Sequence, residues 1–152
     1  PILVVKENHD AEISQMTTKR LKFLPFVTVI TPNLREAEML SGMTITTVSD
    51  MKVAARALSG LGSRHTVIKG GSRLDKHFAR DLYDDGSLSR EFVKPIVARN
   101  NNGAGCTFAS AIASNIARGK SVLTAVEQSK DFVYQAILNS NEYGVFQHDI
   151  NT

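Results

Sequence analysis

Asn102-Gly103-Ala104-Gly105-Cys106-Thr107 runs a glycine loop straight into an alanine-rich helix. Two glycines let the backbone turn tightly and bring amide N–H groups close to a ligand with no Cβ in the way. The helix that follows contributes unpaired N-terminal N–H groups and the positive end of its dipole. Such a junction is an anion site, and phosphate is the usual anion. On that reading Gly103 makes the turn, and the N–H groups of Ala104, Gly105 and Cys106 hold the anion as charge develops on it. The plainer reading is a tight loop that lets an alanine helix pack closely. Cys106, the single cysteine of the chain, falls on the first turn. A helix N-terminus favours a thiolate, which suits a base that takes a proton from a hydroxyl. Against this, a free cysteine is one of the most commonly buried small residues.

Outward from the loop, the chain alternates strand-like and helical segments. The helix after it is expected from about Ala104 to Arg118, with Phe108, Ile112 and Ile116 on one stripe and Ala109, Ala113 and Ala117 beside it. Ser121 is the expected cap of a last helix that turns Val122, Val126, Val133 and Ile137 inward, and the tail from Asn139 shows no period. Upstream, Ala79–Tyr83 and Leu88–Val93 flank Asp84-Asp85-Gly86, a strong hairpin signal. His65–Lys69 and Val27–Ile30 read as short buried strands, as does Ile2–Val5, which is followed by a polar loop through Asp10. Helices are expected from about Ala11 to Leu24, from Asn33 to Ser41 with Gly42 as C-cap, and from a Ser49 cap through Met51, Ala54, Ala55 and Leu58 to Gly60. The pattern predicts one α/β domain over residues 1–152: a mostly parallel sheet with helices on both faces, plus one antiparallel hairpin. Because Pro1 opens inside a strand, the chain is expected to be the C-terminal portion of a longer one, with the N-terminal part of the fold missing.

Sheets of this kind bind ligands at the carboxyl ends of their strands. Two more motifs fall on that edge. Asn33 and Glu36 share a helix face, and a carboxylate beside an amide oxygen suits Mg²⁺, usually through waters. The same pair is also an ordinary helix start, since a first-turn Glu is favoured by the dipole. Lys69 ends a strand ahead of Gly70 and Gly71, from where it could reach a nucleotide phosphate as a point charge or sit on the surface before a turn. Glu38 reads as solvated, and the Arg73, Asp75, Lys76 cluster reads as a solvated loop that could also lie over a nucleotide.

Composition limits the rest. At 42% hydrophobic, 22% charged and a net charge of +3, the chain is ordinary for a globular protein, and its mild basic bias is too diffuse for a nucleic-acid partner. One cysteine excludes an internal disulfide and a cysteine zinc site, and suits a cytoplasmic setting. No apolar run approaches the ~20 residues of a membrane span.

Taken in order, Val29-Ile30-Thr31-Pro32-Asn33-Leu34-Arg35-Glu36-Ala37-Glu38, Val67-Ile68-Lys69-Gly70-Gly71, Gly103-Ala104-Gly105-Cys106-Thr107-Phe108, Ala125-Val126 and Lys130-Asp131-Phe132-Val133 resemble the phosphomethylpyrimidine kinase and bacterial pyridoxal kinase group of the ribokinase-like fold. The resemblance implies an ATP- and Mg²⁺-dependent phosphotransferase. Its acceptor would be the hydroxymethyl group of hydroxymethylpyrimidine or its phosphate, in thiamine biosynthesis. The alternatives are a pyridoxal kinase of vitamin B6 salvage and a non-catalytic nucleotide-binding module of the same fold. In such enzymes the glycine loop is the anion hole and its last position carries the base, here Cys106. Asn33 and Glu36 would serve metal and phosphate. Lys69 would lie by the ATP phosphates, with Gly70, Gly71 and Lys130 also on the nucleotide. Some relatives carry a second cysteine where Val5 stands, and a His commonly precedes the loop where Asn102 stands. A homodimer is the assembly the resemblance implies.

Overall fold

The computed structural model describes residues 21–146, together with Lys19. The strand expected at Ile2–Val5, the loop after it and most of the helix expected at 11–24 lie outside the described residues. The chain divides into two compact units, Pro1–Val93 and Lys94–Thr152.

In the first unit a 3₁₀ turn, Leu24–Phe26, takes Pro25 in its first turn and leads into extended chain. This segment runs parallel to β1 (Thr66–Lys69) through two isolated bridges, Ile30 to Thr66 and Asn33 to Lys69. Pro32 explains why the expected strand at Val27–Ile30 appears as bridges and not a ladder. Ile30 N–H donates to the His65 carbonyl at 3.0 Å, and the Ile30 carbonyl accepts from Val67 N–H at 2.8 Å. The next donor in a parallel ladder would be residue 32, and proline has none. Its carbonyl still accepts from Lys69 N–H at 2.8 Å, so pairing resumes one step on.

Helix α1 (Leu34–Ser41) follows at once and ends at Gly42, which takes a left-handed φ of 69°. Helix α2 (Val48–Gly60) starts from Thr47, not from Ser49. The reason is reciprocity. Thr47 Oγ1 accepts from Asp50 N–H at 3.1 Å while Asp50 Oδ2 accepts from Thr47 N–H at 2.8 Å, whereas the residue three beyond Ser49 is Lys52 and has no acceptor to return. Met51, Ala54, Ala55 and Leu58 are fully buried, as their spacing predicts. Most of them join Leu34, Ala37, Ile45, Ile68 and Leu82 in the core. Leu58 packs instead with Leu24, Ile30 and Leu40.

β1 pairs antiparallel with β2 (Phe78–Asp84) in the register Thr66 to Asp84 and Lys69 to Asp81. β3 (Ser89–Pro95) completes the order β1-β2-β3. The hairpin turn falls at Asp85-Gly86 as predicted. Asp85 Oδ1 accepts from the N–H groups of Ser87 and Leu88 at 3.0 and 2.7 Å, and Gly86 takes φ 85°. The architecture is α/β. Within the described residues the parallel part of the sheet is the 30–33 segment against β1, and the three named strands extend it from there. Val67 and Ile68 are both fully buried, so β1 is covered on both faces.

The second unit is built on α3 (Ala104–Ala117) packed against α4 (Val122–Leu138). Phe108 and Ile112 are buried on α3, and Ala125, Val126, Val133 and Ala136 on α4. Ser121 caps α4 as predicted, accepting from Thr124 N–H at 3.2 Å. The small stripe beside Phe108 and Ile112 does not become a packing face along its length: Ala113 and Ala117 are exposed. Of the aperiodic tail, residues 139–146 fold back on the helix: Asn141 N–H donates to the Gly144 carbonyl at 3.0 Å and Phe146 N–H returns to the Ala136 carbonyl at 3.1 Å.

Candidate active site

The glycine loop has the geometry an anion cradle needs, with one amide fewer than expected. Gly103 occupies the N-cap of α3 at φ 83°, and no side chain caps the helix. The first helical bond runs from Thr107 N–H to the Gly103 carbonyl at 2.9 Å, and Ala104 N–H is taken by the Asn101 carbonyl at 3.0 Å. Ala104 therefore shapes the turn and does not offer a donor. Among the described residues the N–H groups of Gly105 and Cys106 have no hydrogen-bond acceptor. No acidic side chain stands in the first turn to compete for them. Cys106 is exposed, which removes the buried-core reading of this cysteine.

Asn33 and Glu36 form a capping box. Glu36 N–H donates to Asn33 Oδ1 at 2.9 Å, and Asn33 N–H donates to Glu36 Oε2 at 2.8 Å. The pair shares a face as predicted, but each side chain is first engaged with the other's backbone. Glu36 is buried while Asn33 is exposed, so the box fixes an otherwise costly carboxylate at the start of α1. Mg²⁺ is usually held by one or two carboxylates with substrate phosphates and waters, without a protein cage. One oriented carboxylate suits that pattern. Among the described residues no cluster of three or more His, Cys, Asp or Glu side chains forms a metal cage.

Lys69 reaches the same place from β1. Its bridge to Asn33 joins the strand end to the start of α1, so the first unit brings Asn33, Glu36, Lys69, Gly70 and Gly71 to one sheet edge. Gly70 turns out to be an interior residue. Its N–H donates to the Arg80 carbonyl at 2.8 Å and to Asp81 Oδ1 at 3.2 Å, and a Cβ on it would lie 2.2 Å from the Arg80 carbonyl oxygen. The amide of Gly70 is thus spent inside the sheet. Gly71 is exposed at φ 55°. Lys130 lies in the second unit, buried on α4 next to the fully buried Ser129.

Three networks went unread in the sequence. Glu38 is not simply solvated: it accepts from Ile45 N–H at 3.0 Å and pairs with Arg73 at 3.5 Å. Asp75, expected in a solvated loop, accepts from His77 and Phe78 N–H and pairs with Arg80 at 3.2 Å, while Arg80 also pairs with Glu91 at 2.7 Å. The His77 N–H above all, with Arg80 behind it, holds the Asp75 carboxyl below the usual carboxylate range. In the second unit, the three consecutive asparagines before the loop are all used. Asn100 accepts from Asn102 N–H at 3.0 Å and donates to the carbonyls of Asn141 and Glu142, both at 3.0 Å. The carbonyls of Asn101 and Asn102 accept from Ala104 and Val145. A run of asparagines is a turn signal, and that is the trace the sequence offered.

A model of the family described as phosphomethylpyrimidine kinase matches residues 1–151. The chain is 38% identical to a thiamine biosynthetic bifunctional enzyme of Arabidopsis thaliana, over 97% of the chain and 30% of that protein. It is 36% identical to the hydroxymethylpyrimidine/phosphomethylpyrimidine kinase of Bacillus subtilis, over 92% of the chain and 52% of that protein. Its fold superposes on the pyridoxal kinase of Staphylococcus aureus with a TM-score of 0.88 and 37% identity, covering 99% of the chain and 57% of that structure. The same enzyme has been solved with AMP-PCP and pyridoxal. This likeness bears out the α/β, ribokinase-like fold class. The chain spans about half the length of the Bacillus and Staphylococcus relatives and under a third of the Arabidopsis one.

Proposed function

The chain belongs to the phosphomethylpyrimidine kinase family, and from that premise we propose that the protein carrying it transfers a phosphoryl group from ATP to the hydroxymethyl group of hydroxymethylpyrimidine or its phosphate, in thiamine biosynthesis. The observation that carries the reading is the pair of amides, Gly105 and Cys106, that have no acceptor among the described residues, at the N-terminus of α3 beside an exposed thiol. Phosphoryl transfer asks a protein mainly for positioning and charge stabilisation. ATP would supply the phosphoryl group, and Mg²⁺ would neutralise part of its charge. Gly105 and Cys106 N–H hold the equatorial oxygens, and Cys106 Sγ takes the proton of the acceptor hydroxyl. In the first unit Glu36 would hold the metal, oriented by Asn33, and Lys69 would serve the nucleotide phosphates as a point charge, with Gly71 giving the chain room to turn.

A second acceptor, pyridoxal, is favoured by the likeness to the Staphylococcus aureus enzyme. Competition decides between them: the full-length protein is given ATP with hydroxymethylpyrimidine and pyridoxal together, and both phosphate esters are quantified. The pyrimidine ester is expected to dominate. A dominant pyridoxal ester moves the assignment to the second ring, and neither product points to a non-catalytic nucleotide-binding module.

A further inference from the structure

The cradle amides are set by a backbone path that begins five residues before Gly105, at Asn100. The amide of Asn100 is satisfied at both ends. Oδ1 accepts from Asn102 N–H at 3.0 Å, closing a local turn, while Nδ2 bridges the carbonyls of Asn141 and Glu142 at 3.0 Å each. The turn it grips is braced from its far side: Asn141 Oδ1 accepts from Tyr143 N–H at 2.9 Å and from Gly144 N–H at 3.3 Å. Next in the chain, Val145 N–H donates back to the Asn102 carbonyl at 3.0 Å. Gly144 lies so close that a Cβ there would sit 2.7 Å from that same carbonyl oxygen. The segment before the anion cradle is therefore clamped to the 141–145 turn at two points, through Asn100 and through Asn102. Gly103 and the first turn of α3 follow directly from the clamped segment.

We propose that Asn100 is a positioning residue: by tying residues 100–102 to the 141–145 turn, it fixes the direction in which the N–H groups of Gly105 and Cys106 point. Only a side chain with two donors and an acceptor in one plane serves both partners at this spot, and asparagine provides them. The inference rests on the reading of the cradle as a phosphate site. Orientation matters there because donors stabilise an anion only when aimed at it, and displacement of about 1 Å can cost on the order of a hundredfold.

The test is a titration of the ¹⁵N-labelled protein with inorganic phosphate, following the amide resonances of Gly105 and Cys106. Wild type is compared with Asn100→Ala and with Asn141→Ala, which frees the same turn from its far side and leaves 100–106 unaltered. Both substitutions are uncharged, so no new electrostatic repulsion enters. The expected result is a phosphate-dependent shift of both amides in wild type, and about tenfold weaker apparent affinity in either variant, with the core resonances of Phe108 and Ile112 unmoved. If Asn100→Ala fails to fold, Asn100→Ser, which likewise cannot bridge the carbonyls of Asn141 and Glu142, gives the same comparison. Wild-type shifts that persist at unchanged affinity in the folded variants overturn the positioning role and leave the cradle standing. No phosphate response in wild type overturns the cradle itself, and the positioning role with it.

Discussion

Gly103 and Gly70 are both glycines for backbone reasons, and the two reasons predict different costs. Gly103 holds φ 83°, yet a Cβ there would meet only Val145 Cγ2 at an ordinary 3.6 Å. The penalty of Gly103→Ala is therefore left-handed strain, about 1–2 kcal/mol. Gly70→Ala drives a Cβ to 2.2 Å from the Arg80 carbonyl oxygen and breaks the hydrogen bond that joins them. Urea unfolding is expected to show the larger loss for Gly70→Ala, and equal midpoints would contradict this account of the β1–β2 contact. The residue scale is also where the sequence was least legible. The spacing of Asn33 and Glu36 announced a shared face, and a glycine pair after Lys69 announced a turn. Neither revealed that the side chains of the first pair bond each other's backbone, or that Gly70 is interior. Asn100 was hidden for a plainer reason: its partners lie 41 and 42 residues away, and no local pattern encodes such a contact.

At the level of elements, α2 shows how a cap is chosen between two candidates. Thr47→Ala removes the acceptor for Asp50 N–H and is expected to cost about 1 kcal/mol, while Ser49→Ala is expected to leave the thermal midpoint nearly unchanged. A drop on Ser49→Ala alone would reverse the assignment. The cap also carries a pH signature. Thr46 N–H first, then the Thr46 hydroxyl and the Thr47 groups, bring the Asp50 carboxyl down to about 2. A carboxylate depressed in the folded state adds stability above its unfolded pKa, near 3.9, and loses it as pH falls toward 2. Asp50→Asn should flatten that part of the acid limb of a melting profile, and an unaltered limb would show that the cap bonds are not formed in solution. Helix identities and the hairpin were legible because period and turn chemistry are local. The parallel pairing was legible as a strand but not as two separate bridges, although Pro32, which causes the gap, stood in plain view.

For the whole molecule, the order of motifs along the chain identified the family, and the packing within each unit gathers their residues. The first unit gathers Asn33, Glu36 and Lys69 at one edge of its sheet. The second presents the amides of Gly105 and Cys106 beside an exposed thiol and steadies them through the 141–145 turn. Composition and periodicity could foresee the first arrangement, since both of its parts are strand ends and helix starts. The amides and the thiol of the second were legible from the glycine loop, but the turn that steadies them was not, because that stretch has no period. The claim on which the account turns is that Cys106 is the base. The measurement that meets it most directly is steady-state phosphoryl transfer from ATP to hydroxymethylpyrimidine by the full-length protein carrying Cys106→Ala, with ATP affinity measured on the same sample. The account predicts that kcat falls on the order of a hundredfold or more while ATP binds as in wild type; turnover unchanged by the substitution would contradict it.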